Sequence, residues 1–353
     1  MQRNDCIIIL TPGFAASESD TTCLPQIQGF VRVAARQYPE IRFVVIAFQY
    51  PFTRGAYRWF NVEVHTIGGR NGAMPWRIIT WMRAYTAAKR IAKQYNCIGI
   101  LSLWLSETAL AGKFFARRRG LPHFTWLQGQ DVKRSNRYAH LVMPKGNELI
   151  GLSDFTSDEM AKNHGVRPFT IIPNGIDGQE FPPLNPGTRD IDILGAGSLI
   201  PLKNYEAFIR IVHAIKEHHP RVTAVIAGDG PEQRNLNTLV QQLGLQHNIK
   251  LVGTVPHPEV LALMNRSKVF LHTSAFEGLG KVLLEALYSG CRVVSSIPLG
   301  PAALKHMEVC DSETGMTHSV MKFLAQSDPA ERVMYYDMRE TVRRIVSLFP
   351  QRT

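Results

Sequence analysis

No window of the 353-residue chain approaches the roughly 18 consecutive apolar residues that a membrane-crossing helix needs. The first ten residues hold one arginine and a four-residue apolar run, Ile7 to Leu10, too short for a secretion signal. Cysteine is sparse and odd in number: Cys6, Cys23, Cys97, Cys291 and Cys310 match no zinc or disulfide spacing. Buried thiols in a reducing compartment are the expectation. Charged residues make up only 20% against 45% apolar, which excludes a disordered chain. No 20–50-residue repeat and no low-complexity segment is present. What remains is a globular chain, soluble or peripheral to a membrane, long enough for two ordinary domains.

Acidic residues are scarce in one half. Residues 1–186 carry 22 Lys and Arg against 13 Asp and Glu, whereas residues 187–353 carry 18 against 16. An electropositive first half predicts an anionic partner there; nucleic acid, an acidic membrane surface or an anionic acceptor would each satisfy the charge.

What the chain has is alternation. Short apolar runs alternate with longer amphipathic ones, the pattern of parallel βα units. In the first half, strands are predicted at Cys6–Thr11, Ile41–Phe48, Val62–Ile67, Cys97–Leu103, His123–Trp126, Glu148–Leu152 and Phe169–Ile172. Helices are predicted near 25–37, 75–94, 106–119 and 154–164. The stretch Pro173 to Pro186, with four prolines, reads as a linker. A second series follows, with strands at Ile191–Ala196, Val222–Ala227, Ile249–Val252, Val269–His272 and Arg292–Ser295, and helices near 203–218, 232–243, 257–265 and 281–288. Beyond about residue 300 only helices are expected.

The most specific segment runs from Ser274 to Ala286, around Glu277-Gly278-Leu279-Gly280-Lys281-Val282 and Glu285. It follows a strand and opens a helix. Gly278 and Gly280 allow a tight turn and close backbone approach, and the helix N-terminus adds unpaired N–H groups and a positive dipole end. Together these make a phosphate site. Glu277 and Glu285 bracket it and suit sugar hydroxyls, since carboxylates would repel the phosphates.

Glu277 and Glu285, seven residues apart, resemble the Glu-x7-Glu motif of the retaining GT-B glycosyltransferases of family 4 (glycosyl transferases group 1). Gly228-Asp229-Gly230-Pro231-Glu232, Leu251-Val252-Gly253-Thr254-Val255 and Pro173-Asn174-Gly175-Ile176-Asp177 match further motifs in the family's order, and the resemblance is best from Leu149 to Ser296. It implies an α/β GT-B fold, two Rossmann-like domains facing across a cleft. Residues 1–172 would bind the acceptor and 187–330 the nucleotide sugar, with 173–186 as linker and a helix in 331–353 crossing back to the first domain. The implied activity is transfer of a hexosyl group from a nucleoside-diphosphate sugar to a glycan or lipid-linked acceptor of polysaccharide biosynthesis, with retention. No cofactor or metal and no nucleic acid is implied. The implied place is the cytoplasm, with peripheral contact at an anionic membrane face in reach of the basic half.

Residue by residue, Glu285 resembles the residue that grips the ribose. Glu277 resembles the one that contacts the transferred sugar, and Lys203 the lysine that neutralises the diphosphate as the glycosidic bond breaks. Gly13, Ser198, Gly228, Val255, Gly278, Leu279, Gly280, Lys281 and Val282 fall along the implied donor site. Two positions depart from the pattern. Ser198 stands where an arginine is usual, with Lys281 as a possible substitute cation. Gln128 replaces a histidine, and glutamine cannot accept a proton near neutral pH; Asp131 is then the neighbouring carboxylate with a possible catalytic role. Ser153 reads first as an N-cap. An epimerase-type or non-catalytic relative that binds sugar nucleotide is the alternative.

Other signals point elsewhere. Gly195-Ala196-Gly197 lacks the third glycine of a dinucleotide fingerprint, with Ile200 in its place. His218, His219, His247, His257 and His272 have neither the helical i, i+4 pairing nor the carboxylate companions that would make a metal site. Arg117-Arg118-Arg119 caps a helix C-terminus. On the helix around 76–95, Arg83, Lys89, Arg90 and Lys93 share one arc with Ile79 and Met82, which reads either as a solvated outer face or as a membrane contact.

Overall fold

A computed structural model describes residues 4–184, 189–300, 304–326 and 331–350. The ends of the expected linker (185 and 186), parts of 187–330 and the last three residues of 331–353 lie outside them. The chain divides into two compact units, Met1–Gly175 with Tyr336–Thr353, and Ile176–Tyr335.

The first unit is built from β1 (Asp5–Gly13), α1 (Pro25–Gln37), β2 (Arg42–Tyr50), β3 (Gly55–Trp59), β4 (Val62–Thr66), α2 (Met74–Gln94), β5 (Asn96–Leu103), α3 (Glu107–Arg119), β6 (His123–Trp126), α4 (Tyr138–Val142), β7 (Leu149–Gly151), α5 (Asp154–His164) and β8 (Thr170–Ile171). Its eight strands lie in the order β3-β4-β2-β1-β5-β6-β7-β8. Only β3 runs antiparallel, as a hairpin partner of β4. Cys6 to Leu10 are buried throughout, as central parallel strands covered on both faces require. Helix ends follow local chemistry: Ser106 and Ser153 cap α3 and α5, and Gly120 and Gly165 end them in the left-handed region.

The second unit contains β9 (Ile191–Ala196), α6 (Tyr205–Lys216), β10 (Ala224–Ala227), α7 (Gln233–Gln242), β11 (Ile249–Gly253), α8 (His257–Arg266), β12 (Ser267–His272), α9 (Lys281–Tyr288), β13 (Arg292–Ser295), β14 (Met307–Val309) and α10 (Glu313–Leu324). All six strands are parallel, in the order β11-β10-β9-β12-β13-β14. Its core gathers Phe208, Ile211 and Val212 of α6 with Ile193, Ile226, Val269 and Val294 of the sheet. The chain then returns to the first unit with α11 (Met338–Val346), which packs on α1.

Three expectations need correction. β3 escapes the apolar signal because four of its five residues keep contact with solvent and only Trp59 is buried. β14 contradicts the expectation of helices alone after residue 300; a three-residue edge strand has too little apolar pattern to read. The last helix fills only part of the 331–353 segment where it was expected, starting only after the Asp337 cap.

Candidate functional site

In an open parallel sheet, ligands bind beyond the carboxyl ends of the strands where the strand order reverses. In the second unit that point lies between β9 and β12. The loop after β9 carries Ser198 and Lys203, and the loop after β12 carries Glu277, Gly278 and Gly280. The two loops are stitched together. The Ala275 amide donates to the Leu202 carbonyl at 2.8 Å, the Thr273 hydroxyl to the Lys203 carbonyl at 3.0 Å, and the Ser274 hydroxyl to the Leu202 carbonyl at 3.2 Å. A third loop joins beneath them: the Leu199 amide reaches the Asp229 carbonyl at 2.9 Å, and the Gly228 amide reaches the Gly253 carbonyl at 2.8 Å.

This stitching sets Lys203 Nζ directly against Glu277 Oε1. His272, the last residue of β12, approaches the same oxygen with Nε2 at 3.3 Å, while its Nδ1 meets the Ser295 hydroxyl at 3.1 Å. The Ser295 hydroxyl donates to the Ile297 carbonyl at 2.8 Å and accepts the Ile297 amide at 3.1 Å, which ties His272 to the end of β13. Burial pushes the His272 pKa down, against the pull of Glu277. Burial pushes the Glu277 pKa up, but the His272 hydrogen bond and the Lys203 charge outweigh it and hold the carboxyl at about 2.

Glu285 has a parallel arrangement one turn into α9. Lys281 Nζ lies 3.0 Å from its Oε1, and His257 Nε2, at the start of α8, lies 2.9 Å from the same atom. Burial again raises the Glu285 pKa, and the Lys281 charge and the His257 hydrogen bond bring it down to about 2. Both carboxylates are therefore ionised at neutral pH. Each is held by one lysine and one histidine. The sequence reading weighed these histidines only as metal ligands. His272 is 5 residues from Glu277 and His257 28 from Glu285, separations without helical periodicity, so only the fold shows either pairing.

Lys281 is engaged with Glu285 rather than standing beside Ser198. The Ser198 side chain is exposed and makes no hydrogen bond with another described residue. The Leu279 side chain is buried, so only its backbone faces the turn. Gly280 is the N-cap of α9 with φ +67°, a conformation that leaves the first-turn amides of Lys281 and Val282 open to a ligand. Gly228 follows β10 and Val255 follows β11, both partly exposed at the same sheet edge. Among the described residues no group of three or more His, Cys, Asp or Glu could hold a metal ion.

In the first unit, Gly13 ends β1 beside the corresponding reversal between β1 and β5. Gln128 lies half-buried on the loop after β6. Asp131 needs correction as a catalytic candidate. Its buried carboxylate accepts the backbone amides of Leu105 at 2.8 Å, Gly129 at 2.8 Å and Gln128 at 3.0 Å. Those amides occupy its oxygens, so Asp131 fixes the loop that carries Gln128. Ser153 accepts the Thr156 amide at 3.2 Å and is an N-cap, as its sequence setting indicated.

A family model described as glycosyl transferases group 1 matches residues 178–317, the segment that holds Lys203, Glu277, Glu285 and both histidines. Over these residues the chain is similar to the glycosyl transferases group 1 family. The chain is also 26% identical, over 171 residues, to the phosphatidylinositol N-acetylglucosaminyltransferase GPI3 subunit of Saccharomyces cerevisiae. That match covers 46% of this chain and 38% of the yeast protein. The whole chain superposes on sucrose-phosphate synthase from Thermosynechococcus elongatus with a TM-score of 0.72 and 15% identity, covering 96% of this chain and 94% of that one. It superposes on Anabaena HepE in complex with UDP and glucose with a TM-score of 0.70 and 18% identity, covering 98% and 99%. The fold is GT-B.

Proposed function

We propose that this chain is a glycosyltransferase whose second unit holds a nucleoside-diphosphate sugar and whose first unit meets the acceptor. The observation that carries this reading is the pair of ionised carboxylates, Glu277 and Glu285, flanking the α9 N-terminus with Lys203 beside them. Glu285 grips the ribose hydroxyls, the amides of Gly278 to Val282 and Lys203 take the diphosphate, and Glu277 meets the transferred sugar. Gly13, Gln128, Ser198, Gly228 and Val255 complete the donor's surroundings. The nucleotide is a uridine diphosphate, in keeping with the UDP bound to HepE.

Lys203 neutralises the charge that grows on the leaving diphosphate, so the reaction proceeds without a metal. Transfer occurs on the face the diphosphate leaves, with retention, and a phosphate oxygen takes the acceptor proton. The protein then contributes positioning and electrostatic stabilisation. The acceptor is a glycan or a lipid-linked molecule. The basic first unit, with Trp76, Ile79 and Met82 exposed on α2, suits peripheral contact with an anionic membrane face.

A thermal-shift panel of nucleoside diphosphates tests the donor reading: a ligand at 100 times its dissociation constant stabilises by about 2.7 kcal/mol. UDP should shift the melt more than GDP or ADP, and no shift with any nucleotide removes the proposal. The anomeric proton coupling of the product reports retention.

A further inference from the structure

Beyond the carboxyl ends of β2 and β4, closed on one side by α2, lies a hollow of about 540 Å³. Three arginines line it, Arg54, Arg70 and Arg83, and no lining residue is a carboxylate. Arg54 and Arg83 make no hydrogen bond or ion pair with another described residue. Arg70 gives only its Nε–H, to the Phe52 carbonyl at 3.0 Å. Three guanidinium groups gathered without a counter-charge raise the local potential until an anion joins them.

The rim of this hollow is apolar. Phe52, Trp76 and Ile79 are 50%, 61% and 36% exposed. Across the α2 ridge, formed by Ile79 and Met82, a second hollow of about 460 Å³ runs between α2 and α3. Trp81, Met82, Tyr85, Leu110 and Phe114 line it, an almost wholly carbon surface. The floor is braced from below: Glu107 accepts from the Trp81 indole at 2.9 Å and from the Gln49 amide, and Gln49 Oε1 in turn accepts the Asn71 amide at 2.7 Å. One helix therefore separates a cationic hollow from an oily one, with a greasy crest between them. The arginines match phosphate oxygens in charge and fork geometry, and the crest and second hollow match a hydrocarbon chain.

We infer that this face of the first unit is a subsite for a phosphorylated amphiphile. The phosphate lies among Arg54, Arg70 and Arg83, and the chain crosses α2 toward Phe114. The inference rests on the reading of the first unit as the acceptor side and names the acceptor's chemistry.

Calorimetric titration of the full chain with octyl phosphate, inorganic phosphate and octyl β-glucoside tests it. Octyl phosphate should bind at least roughly tenfold more tightly than either of the others. The Arg54→Gln/Arg83→Gln double variant should weaken octyl phosphate by roughly tenfold or more, since each lost charged hydrogen bond is worth about that factor. Met82→Ser/Phe114→Ser should weaken octyl phosphate and leave inorganic phosphate unchanged. Octyl glucoside binding as tightly as octyl phosphate would overturn the anion subsite. Inorganic phosphate binding as tightly would overturn the amphiphile and leave a free-anion site. Unaltered octyl phosphate binding by the arginine variant overturns the placement, as does failure of the parent to bind it. The UDP-induced thermal shift is read on every variant. If the parent shows no response to any nucleoside diphosphate, the sugar-transfer reading fails while the octyl phosphate titration still decides this one.

Discussion

The backbone of Gly228 lies so close to Gly197 that a Cβ on Gly228 would overlap the Gly197 carbonyl oxygen. The loops after β9 and β10 thus touch main chain to main chain, and Gly228 itself has φ +147°, which L residues rarely adopt. Gly228→Ala should cost more than about 2 kcal/mol of stability, from strain and overlap together. Gly244→Ala, at φ +64° with nothing near its Cβ, is the control and should cost only about 1 kcal/mol. Urea midpoints compare the two. Equal effects would mean the loop contact relaxes freely.

Glu285→Ala should weaken binding of the free nucleoside diphosphate. A ribose-holding carboxylate acts alike in ground and transition states, and its loss is worth roughly 1.5–3 kcal/mol. Glu277→Ala should spare that affinity and lower turnover with the nucleotide sugar. Titration with nucleotide and with nucleotide sugar separates them; parallel losses in both variants contradict the division.

Lys203→Ala should reduce the rate far more than donor affinity, by about 10²–10³, because diphosphate charge grows toward the transition state. Single-turnover kinetics at saturating donor provide the measurement. Near-normal turnover would shift the phosphate role to the α9 amides.

Acid should destabilise the protein in two steps. Burial lowers the His123 pKa from 6.5 to about 4 and lowers that of His272 as well. A histidine with a depressed folded pKa favours the neutral form, so its contribution is whole above pH 6.5 and falls as pH drops toward 4. For fully buried His123 the loss is roughly 3 kcal/mol. Glu277 and Glu285, lowered from 4.5 to about 2, add a second loss as pH falls below 4.5 toward 2. Denaturant midpoints from pH 8 to 3 read both steps. His123→Gln should flatten the slope between 6.5 and 4, and an unchanged slope assigns it to other groups.

Phe349 fills the space above Gly99, where a Cβ would overlap its ring, and meets Phe124 edge-on at 5.3 Å. It is 2% exposed. Phe349→Ala should destabilise the first unit by about 3–5 kcal/mol, the usual cost of an emptied aromatic site. Loss of protection in the amides of β5 and β6 by hydrogen exchange reads this directly. A change confined to α11 would mean the helix docks without that anchor.

The sequence by itself determined the alternation of strands and helices and the segment from Ser274 to Ala286. Those signals are local: apolar periodicity marks an element within a few residues, and a strand–glycine–helix turn is contiguous in the chain. It also determined the cap at Ser153, which acts within three residues. The short, solvent-facing β3 and the brief edge strand β14 were illegible for the same reason, having little burial to imprint on their residues. Tertiary structure alone decided the partners. It set Lys203 on Glu277 across 74 residues, brought His257 to Glu285 across 28, and turned Asp131 into a brace by surrounding it with amides. It also gathered Arg54, Arg70 and Arg83 around one hollow. Side-chain charge is written in the sequence, but its counter-charge is chosen by where parallel strands end, and that depends on long-range sheet order.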